Sequence, residues 1–319
     1  MTATSSPPAD VRRQKKQDRQ ARRKRVRARI RHVALTKAPL WLSGGRIVRS
    51  RSVCDIRAAE RHIFLPNLPE ALDGLRVTHI SDLHIGSVTR PDCLPALLDR
   101  CHRLEGDLIA VTGDLVDLSH DVLGVVLEAM SRLSAPLGTF FVPGNHDYLD
   151  DAPGFVRRAR EAGLNLLIND AAWLKARDCN LLLAGIDYAH RPDELSRLVR
   201  GTFRDARSNG HPSPDLRLLL AHHPDAFDAA SKIGVQLTLS GHTHGGQLAL
   251  AGRRGKKGSI GLGSMAFRYP HGLYRRGDCH LHVTSGVGSW FPLRVNCPAE
   301  IVSLTLHHGL DPTDQTSHP

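Results

Sequence analysis

Five short stretches of this chain gather residue types that bind metal ions. Asp82 and His84 stand in "DLH", Asp114 and Asp117 in "GDLVD", Asn145, His146 and Asp147 in "GNHD", His222 and His223 in "AHHPD", and His242 and His244 in "GHTHGGQ". Carboxylates, imidazoles and an amide oxygen with no thiolate among them suit Mn²⁺, Fe or Zn²⁺. So many donors exceed what one ion with an open position needs. Two ions sharing one bridging carboxylate fit the number, and such pairs clamp the attacking and leaving oxygens of an in-line displacement. Each stretch alone has a plainer reading. An Asp ahead of a helix is usually an N-cap, and with 19 histidines in the chain most serve no site; His79, His102, His190 and His280 are read as structural. The five stretches stand out because each closes a strand-like run.

Those runs must position the donors. "LRVTHIS" (75–81), "DLIAVTG" (107–113) and "GTFFVPG" (138–144) are strand-like, rich in apolar and β-branched residues. Helical spacing follows each of them, in 95–104, 121–133 and 153–163. Strands alternating with helices mean βαβ units around a largely parallel sheet, and such sheets bind ligands beyond the carboxyl ends of their strands. Later the rhythm changes. "LNLLIND", "NLLLAGID", "LRLLLAHH", "VQLTLSGH", "CHLHVTSG" and "EIVSLTLHH" are short apolar runs with fewer helices between them, which predicts a second, mixed sheet packed on the first in one α/β domain. No internal repeat or low-complexity segment follows residue 40.

The 319 residues carry a formal net charge of +11, and its distribution says more than its total. Residues 1–37 hold 13 of the 43 Lys and Arg and only two acids, Asp10 and Asp18, so the rest of the chain is neutral. The arm over residues 1–40 is expected to be disordered or weakly helical. With Leu40, Trp41 and Leu42 beside it, the arm suits the anionic inner face of a membrane, and its charge also suits nucleic acid. The apolar run around 32–45 is interrupted by Lys37 and Pro39 and is too short to span a bilayer. Arg12 and Arg13 lack the apolar segment of an export signal, so a cytoplasmic, peripherally bound protein is expected. Six cysteines are scattered without a CxxC pair and are read as reduced, mostly buried thiols.

Taken together and in this order, the five motifs resemble those of the calcineurin-like metallophosphoesterase superfamily, over about residues 63–306, with 307–319 left as a tail. "GHTHGGQ", "GLYRRGDCHLHVTSGVG" and "PAEIVSLTL" are similar to a bacterial branch of membrane-associated phosphodiesterases that includes enzymes cleaving the pyrophosphate of UDP-2,3-diacylglucosamine. The resemblance implies a four-layer α/β/β/α sandwich of two mixed sheets flanked by helices. It implies that Asp82, His84 and His244 hold one metal, that Asn145, His222 and His242 hold the other, and that Asp114 bridges them. Mn²⁺ is the expected ion, with Fe or Zn²⁺ as alternatives. Both His222 and His223 are candidates at the fourth motif; leaving a strand they point to opposite faces, and the family pattern favours His222.

Two divalent ions depress the pKa of a bridging water and neutralise phosphoryl oxygens, so direct hydroxide attack on a phosphodiester or phosphoanhydride is the expected chemistry. His146 is the expected acid for the leaving oxygen, with Asp117 orienting it, and Asp147 is expected to fix the loop. The basic stretch 252–276 is expected to form a rim gripping a second phosphate through Arg253, Arg254, Lys256, Lys257 and Arg275. A lipid-linked substrate accounts for both the rim and the arm. A nuclease or cyclic-nucleotide phosphodiesterase and a non-catalytic scaffold are the alternatives; the complete donor set disfavours the scaffold.

Overall fold

The computed structural model describes residues 56–207, 211–246, 267–289, 294 and 296–312, with a few isolated positions before them. The basic arm is therefore almost wholly outside the described residues. In chain order the strands and helices are β1 (Arg57–Leu65), β2 (Leu75–Ile80), α1 (Leu94–Arg103), β3 (Leu108–Val111), α2 (Leu123–Ser131), β4 (Thr139–Phe141), α3 (Ala152–Glu161), β5 (Asn165–Leu166), β6 (Asp170–Ala176) and β7 (Cys179–Gly185). They continue with α4 (Pro192–Arg207), β8 (Leu216–Leu220), α5 (Phe227–Ala230), β9 (Leu237–Ser240), β10 (Gly272–Arg276), β11 (Cys279–Val283) and β12 (Glu300–His308).

Among the described residues two six-stranded sheets form, ordered β1-β12-β2-β3-β4-β5 and β10-β11-β9-β8-β7-β6. Both are mixed: β12 runs antiparallel to β2 in the first, and β10–β11 and β6–β7 are antiparallel in the second, while the central pairs are parallel. The strand period of two divides the side chains between layers. In β3, Leu108 and Ala110 enter the core between the sheets with Leu216, Leu218 and Leu220 of β8, whereas Ile109 and Val111 face α1, α2 and α3 through Leu97, Val126 and Phe155. On the outer face of the second sheet, Leu195, Val199 and Phe203 of α4 cover Leu182, Ala184 and Leu219. Burying strands on both faces explains their near-continuous apolar runs, and each buried leucine contributes about 1.5–3 kcal/mol. The four-layer sandwich expected from the sequence is the observed one.

Four elements escaped the sequence pattern. The edge strands β1, β6 and β10 are half-exposed, with patterns too polar to read as apolar runs. The 16-residue α4 stands where fewer helices were expected, although Asp193 and Glu194 in its first turn and Leu195, Val199 and Phe203 at four-residue steps are helical signals. At the ends, β1 begins at Arg57 and β12 runs to His308, reaching into the segment read as a tail. Cys93 is disulfide-bonded, contrary to the expectation that all the thiols are reduced; spacing without a motif does not disclose such a pairing. Cys101, Cys179, Cys279 and Cys297 are free.

Candidate metal centre

The carboxyl ends of β2, β3, β8 and β9 converge across the two sheets, and their loops bring the donors together. Asp82, His84 and His244 form one group and Asp114, His222 and His242 a second, with the donor atoms of each group all within 4.8 Å of one another. In the first, Nε2 of His244 lies 3.0 Å from Nε2 of His84 and 3.3 Å from Oδ1 of Asp82. In the second, Nε2 of His222 lies 3.2 Å from Nδ1 of His242 and 3.2 Å from Oδ2 of Asp114. The same Asp114 oxygen is 3.4 Å from Nε2 of His84, so this carboxylate stands between the groups. Asp82, His84, Asp114, His222 and His244 are all buried.

The donors fit two divalent ions. A buried amide oxygen needs an electropositive partner, and Oδ1 of Asn145 has none among the described residues. His222 Nδ1 stands 2.6 Å from the Thr112 carbonyl; a carbonyl only accepts, so Nδ1 carries a proton and Nε2 is the nitrogen turned to the centre, where a bound cation would displace its proton. His223 belongs to neither donor group: its ring packs 4.8 Å from that of His242, and its Nδ1 accepts from the Asp225 amide at 3.3 Å to cap the turn that follows. The choice between the two histidines thus falls on His222 for membership of the cluster.

The backbone is bent to make this possible. Among the described residues, five of the ten non-glycine residues with positive φ are Asp82, His84, Asp114, His242 and His244, at 53°, 43°, 56°, 71° and 51°. Left-handed backbone at such residues costs on the order of 1–3 kcal/mol each and persists only where the surroundings impose it. The motif glycines supply the room. A Cβ on Gly144 would sit 2.1 Å from Oδ1 of Asp114, and one on Gly241 would sit 2.1 Å from Oδ2 of Asp82. Asp147 holds the third motif against the second: buried, it accepts from the amides of Asp114, Leu115 and Gly144 at 2.9, 2.8 and 2.8 Å, as expected of a loop-fixing residue.

Charge follows from burial and proximity. Burial opposes ionisation of Asp114, yet His222 and His146 outweigh it and hold the carboxyl well below its ordinary range. Burial likewise pulls His84 and His222 down, but Asp117 and Asp82 raise the first to about 10 and Asp114 raises the second to about 9. His242, where burial and the neighbouring His222 act together, falls to about 3. The cluster is organised around anionic carboxylates that draw in positive charge.

His146 stands at the mouth, its side chain 20% exposed. Its amide donates to Oδ1 of Asp114 at 2.7 Å and its Nδ1 to the Asp117 carbonyl at 2.5 Å. The Asp117 carboxylate lies farther off, 3.4 Å from His146 Nδ1 and 3.6 Å from His84 Nδ1. Asp117 therefore orients His146 chiefly through its backbone, a contact that the side-chain types alone do not reveal.

The basic residues expected to grip a second phosphate divide. Arg253, Arg254, Lys256 and Lys257 lie outside the described residues. Arg275 belongs to β10 and pairs with His280, near the start of β11, whereas the centre adjoins the end of that strand, where Val283 pairs with Gly272. Its Nε donates to the Gly277 carbonyl at 2.8 Å, so Arg275 is at the far end of the sheet: the antiparallel run of β10 reverses the direction that the sequence order suggests. Two side chains the sequence reading passed over adjoin the centre. The ring of Tyr188 is 5.9 and 6.0 Å from those of His222 and His242, and Arg294 lies beside His244. Tyr188 follows the end of β7, so the strand-end rule that found the donors could have found it; Arg294 follows no strand and carries no such signal.

A four-layer sandwich with this donor set at its strand ends is the arrangement of a metallophosphoesterase domain. The family model described as Calcineurin-like phosphoesterase matches residues 75–246, and the chain belongs to that family. It is 30% identical over 265 residues to an uncharacterized metallophosphoesterase of Bacillus subtilis, covering 79% of this chain and 85% of that protein. It is also 30% identical to a "Transmembrane protein with metallophosphoesterase domain" of Danio rerio, covering 78% of this chain and 57% of that one. An uncharacterized metallophosphoesterase of Helicobacter pylori is 30% identical, with 77% and 63% covered. The chain thus spans less than two thirds of the length of the last two relatives. Among solved structures it is similar to a dimetal phosphatase from Danio rerio, at TM-score 0.42 and 12% identity, covering 67% of this chain and 88% of that one.

Proposed function

We propose that this protein hydrolyses a phosphodiester or phosphoanhydride bond at two divalent ions, with Mn²⁺ the preferred metal and a lipid-linked phosphate or pyrophosphate the substrate. The observation that carries this reading is the pairing of the two donor groups across Asp114, with Asp82, His84 and His244 on one side and His222 and His242 on the other. Asn145 joins the second group through its unpartnered oxygen. Ions bound there supply Lewis acidity, an activated water and neutralisation of the phosphoryl oxygens.

The residues themselves do the rest. Asp114 and Asp82, both buried, would supply the charge that holds the two cations. His146, its Nδ1 committed to the Asp117 carbonyl, presents Nε2 as the proton donor to the leaving oxygen. With the carboxylates and imidazoles committed to holding the ions, water would be the nucleophile, and no phosphorylated side chain is required. A lipid-linked substrate is supported by the basic arm with its adjoining Leu40, Trp41 and Leu42 and by the resemblance to membrane-associated phosphodiesterases. Among the described residues no helix is long and apolar enough to cross a membrane, which is in keeping with attachment to an anionic surface through the arm. Strong activity on oligonucleotides would favour the nuclease alternative instead.

The test is hydrolysis of bis-p-nitrophenyl phosphate beside p-nitrophenyl phosphate by the full chain loaded with Mn²⁺. Faster cleavage of the diester is the expected result. Cleavage of the monoester alone, or of neither despite bound metal, would overturn the diesterase reading. With diester activity in hand, a pyrophosphate-linked lipid in anionic vesicles is expected to be cleaved in preference to an oligonucleotide, and the reverse order would replace the lipid by nucleic acid.

A further inference from the structure

We propose that Arg294 is a positioning residue for the Asp82–His84–His244 group, and that it sets the metal affinity of that group more strongly than that of the Asp114–His222–His242 group. The inference rests on the two-ion reading above.

The guanidinium is turned inward and spent on backbone. Nη2 donates to the carbonyls of Ser285, Gly286 and Gly288, Nη1 to that of Cys297 at 3.2 Å, and Nε to the Ser289 hydroxyl at 2.7 Å. Its acceptors belong to two segments. The first, 285–289, is the wall behind Asp82: the Val287 amide donates to Ser81 O at 3.0 Å and the Gly288 amide to Asp82 O at 2.7 Å. A Cβ on Gly286 would lie 2.7 Å from the Asp82 Cβ, and one on Gly288 would lie 1.7 Å from Leu83 O, so the wall meets the bent Asp82–Leu83 backbone with no space between.

The second segment props the other ligand loop. Cys297 Sγ donates to the His244 carbonyl at 2.9 Å, and a Cβ on Gly245 would lie 2.4 Å from that sulfur. Nη2 of Arg294 itself lies 3.5 Å from His244 Nδ1. One planar fork therefore ties the wall of Asp82 to the support of His244, two of the three donors of one group. Both donors hold left-handed backbone, at φ 53° and 51°, which relaxes if its surroundings slacken. The described contacts of Arg294 include none with Asp114, His222 or His242. A lysine cannot substitute, because a single ammonium does not span acceptors arranged for a planar fork.

The experiment is calorimetric titration of the full chain with Mn²⁺, with thermal melting to verify folding. The parent is expected to bind two ions in resolvable steps. In Arg294→Met and Arg294→Lys one step weakens by about 10–100-fold, the range of changes behind a metal ligand, while the other, coupled to it through Asp114 and the Asp82–His242 contact, weakens by clearly less. Ser289→Ala, a milder change that removes one acceptor, weakens the same step by less; it keeps the test decisive should the arginine variants not fold. Equal weakening of both steps, or no change in either, would overturn the proposal. A parent that binds a single ion would instead remove the two-ion reading itself.

Discussion

The Asp114→Asn protein is expected to fold like the parent, to retain at most one Mn²⁺ per chain, and to cleave bis-p-nitrophenyl phosphate on the order of 10³-fold more slowly. Asparagine keeps the shape of the side chain and an oxygen for the His146 amide, now 2.7 Å from Oδ1. It removes the negative charge between the two groups and turns an amide N–H₂ toward Nε2 of His222 and His84, which Oδ2 now faces at 3.2 and 3.4 Å. Those nitrogens would then accept from the amide rather than bind metal. An ion stabilises a phosphoryl transition state by several kcal/mol, and about 4 kcal/mol corresponds to a factor of roughly 10³. Metal content after gel filtration and steady-state rates measure the two halves of the expectation. Two retained ions with a rate within tenfold of the parent would show that Asp114 is not the bridge.

His146→Ala is expected to behave in the opposite sense, keeping both ions and losing turnover selectively. General acid catalysis contributes about 10²–10⁴-fold, and the loss should appear in full on a diester with an alkoxide leaving group. On bis-p-nitrophenyl phosphate the leaving phenolate departs without a proton, so the variant should lose far less. The comparison also decides a second point. The donor atoms of His146, His84 and Asp114 lie close enough together to form a third group, yet Nδ1 of His146 is taken by the Asp117 carbonyl. Loss of metal in His146→Ala would make the residue a ligand, and equal losses on both substrates would remove it as the acid.

How much of this was legible in the chain depended on which physical rule each residue obeys. The central strands read clearly because burial on both faces leaves continuous apolar runs such as those of β3 and β8, and the donors read clearly because they follow those runs directly. The edge strands β1, β6 and β10 did not, since a half-exposed strand mixes polar and apolar side chains. The β6–β7 hairpin turns on Arg177 and Asp178, with φ of 47° and 68°, in place of the Asn-Gly or Asp-Gly pair that announces such a turn. Long-range placement was legible least. Nearness in sequence to "GHTHGGQ" predicts that Arg275 joins the phosphate rim, but antiparallel pairing carries it to the other end of the sheet. Arg294 gave no sign, because its partners are carbonyls of segments that sequence order does not bring together. His79, read as structural, is buried and bonds His282 Nδ1 and Thr112 Oγ1 at 2.9 Å each, joining the two sheets beneath the centre.

The most direct test of the central claim is an anomalous difference map at the manganese edge from crystals of the full chain grown with Mn²⁺. Two peaks are expected, one among Asp82, His84 and His244 and one among Asp114, Asn145, His222 and His242, with the Asp114 carboxylate between them. A single peak, or manganese bound only outside this cluster, would contradict the account.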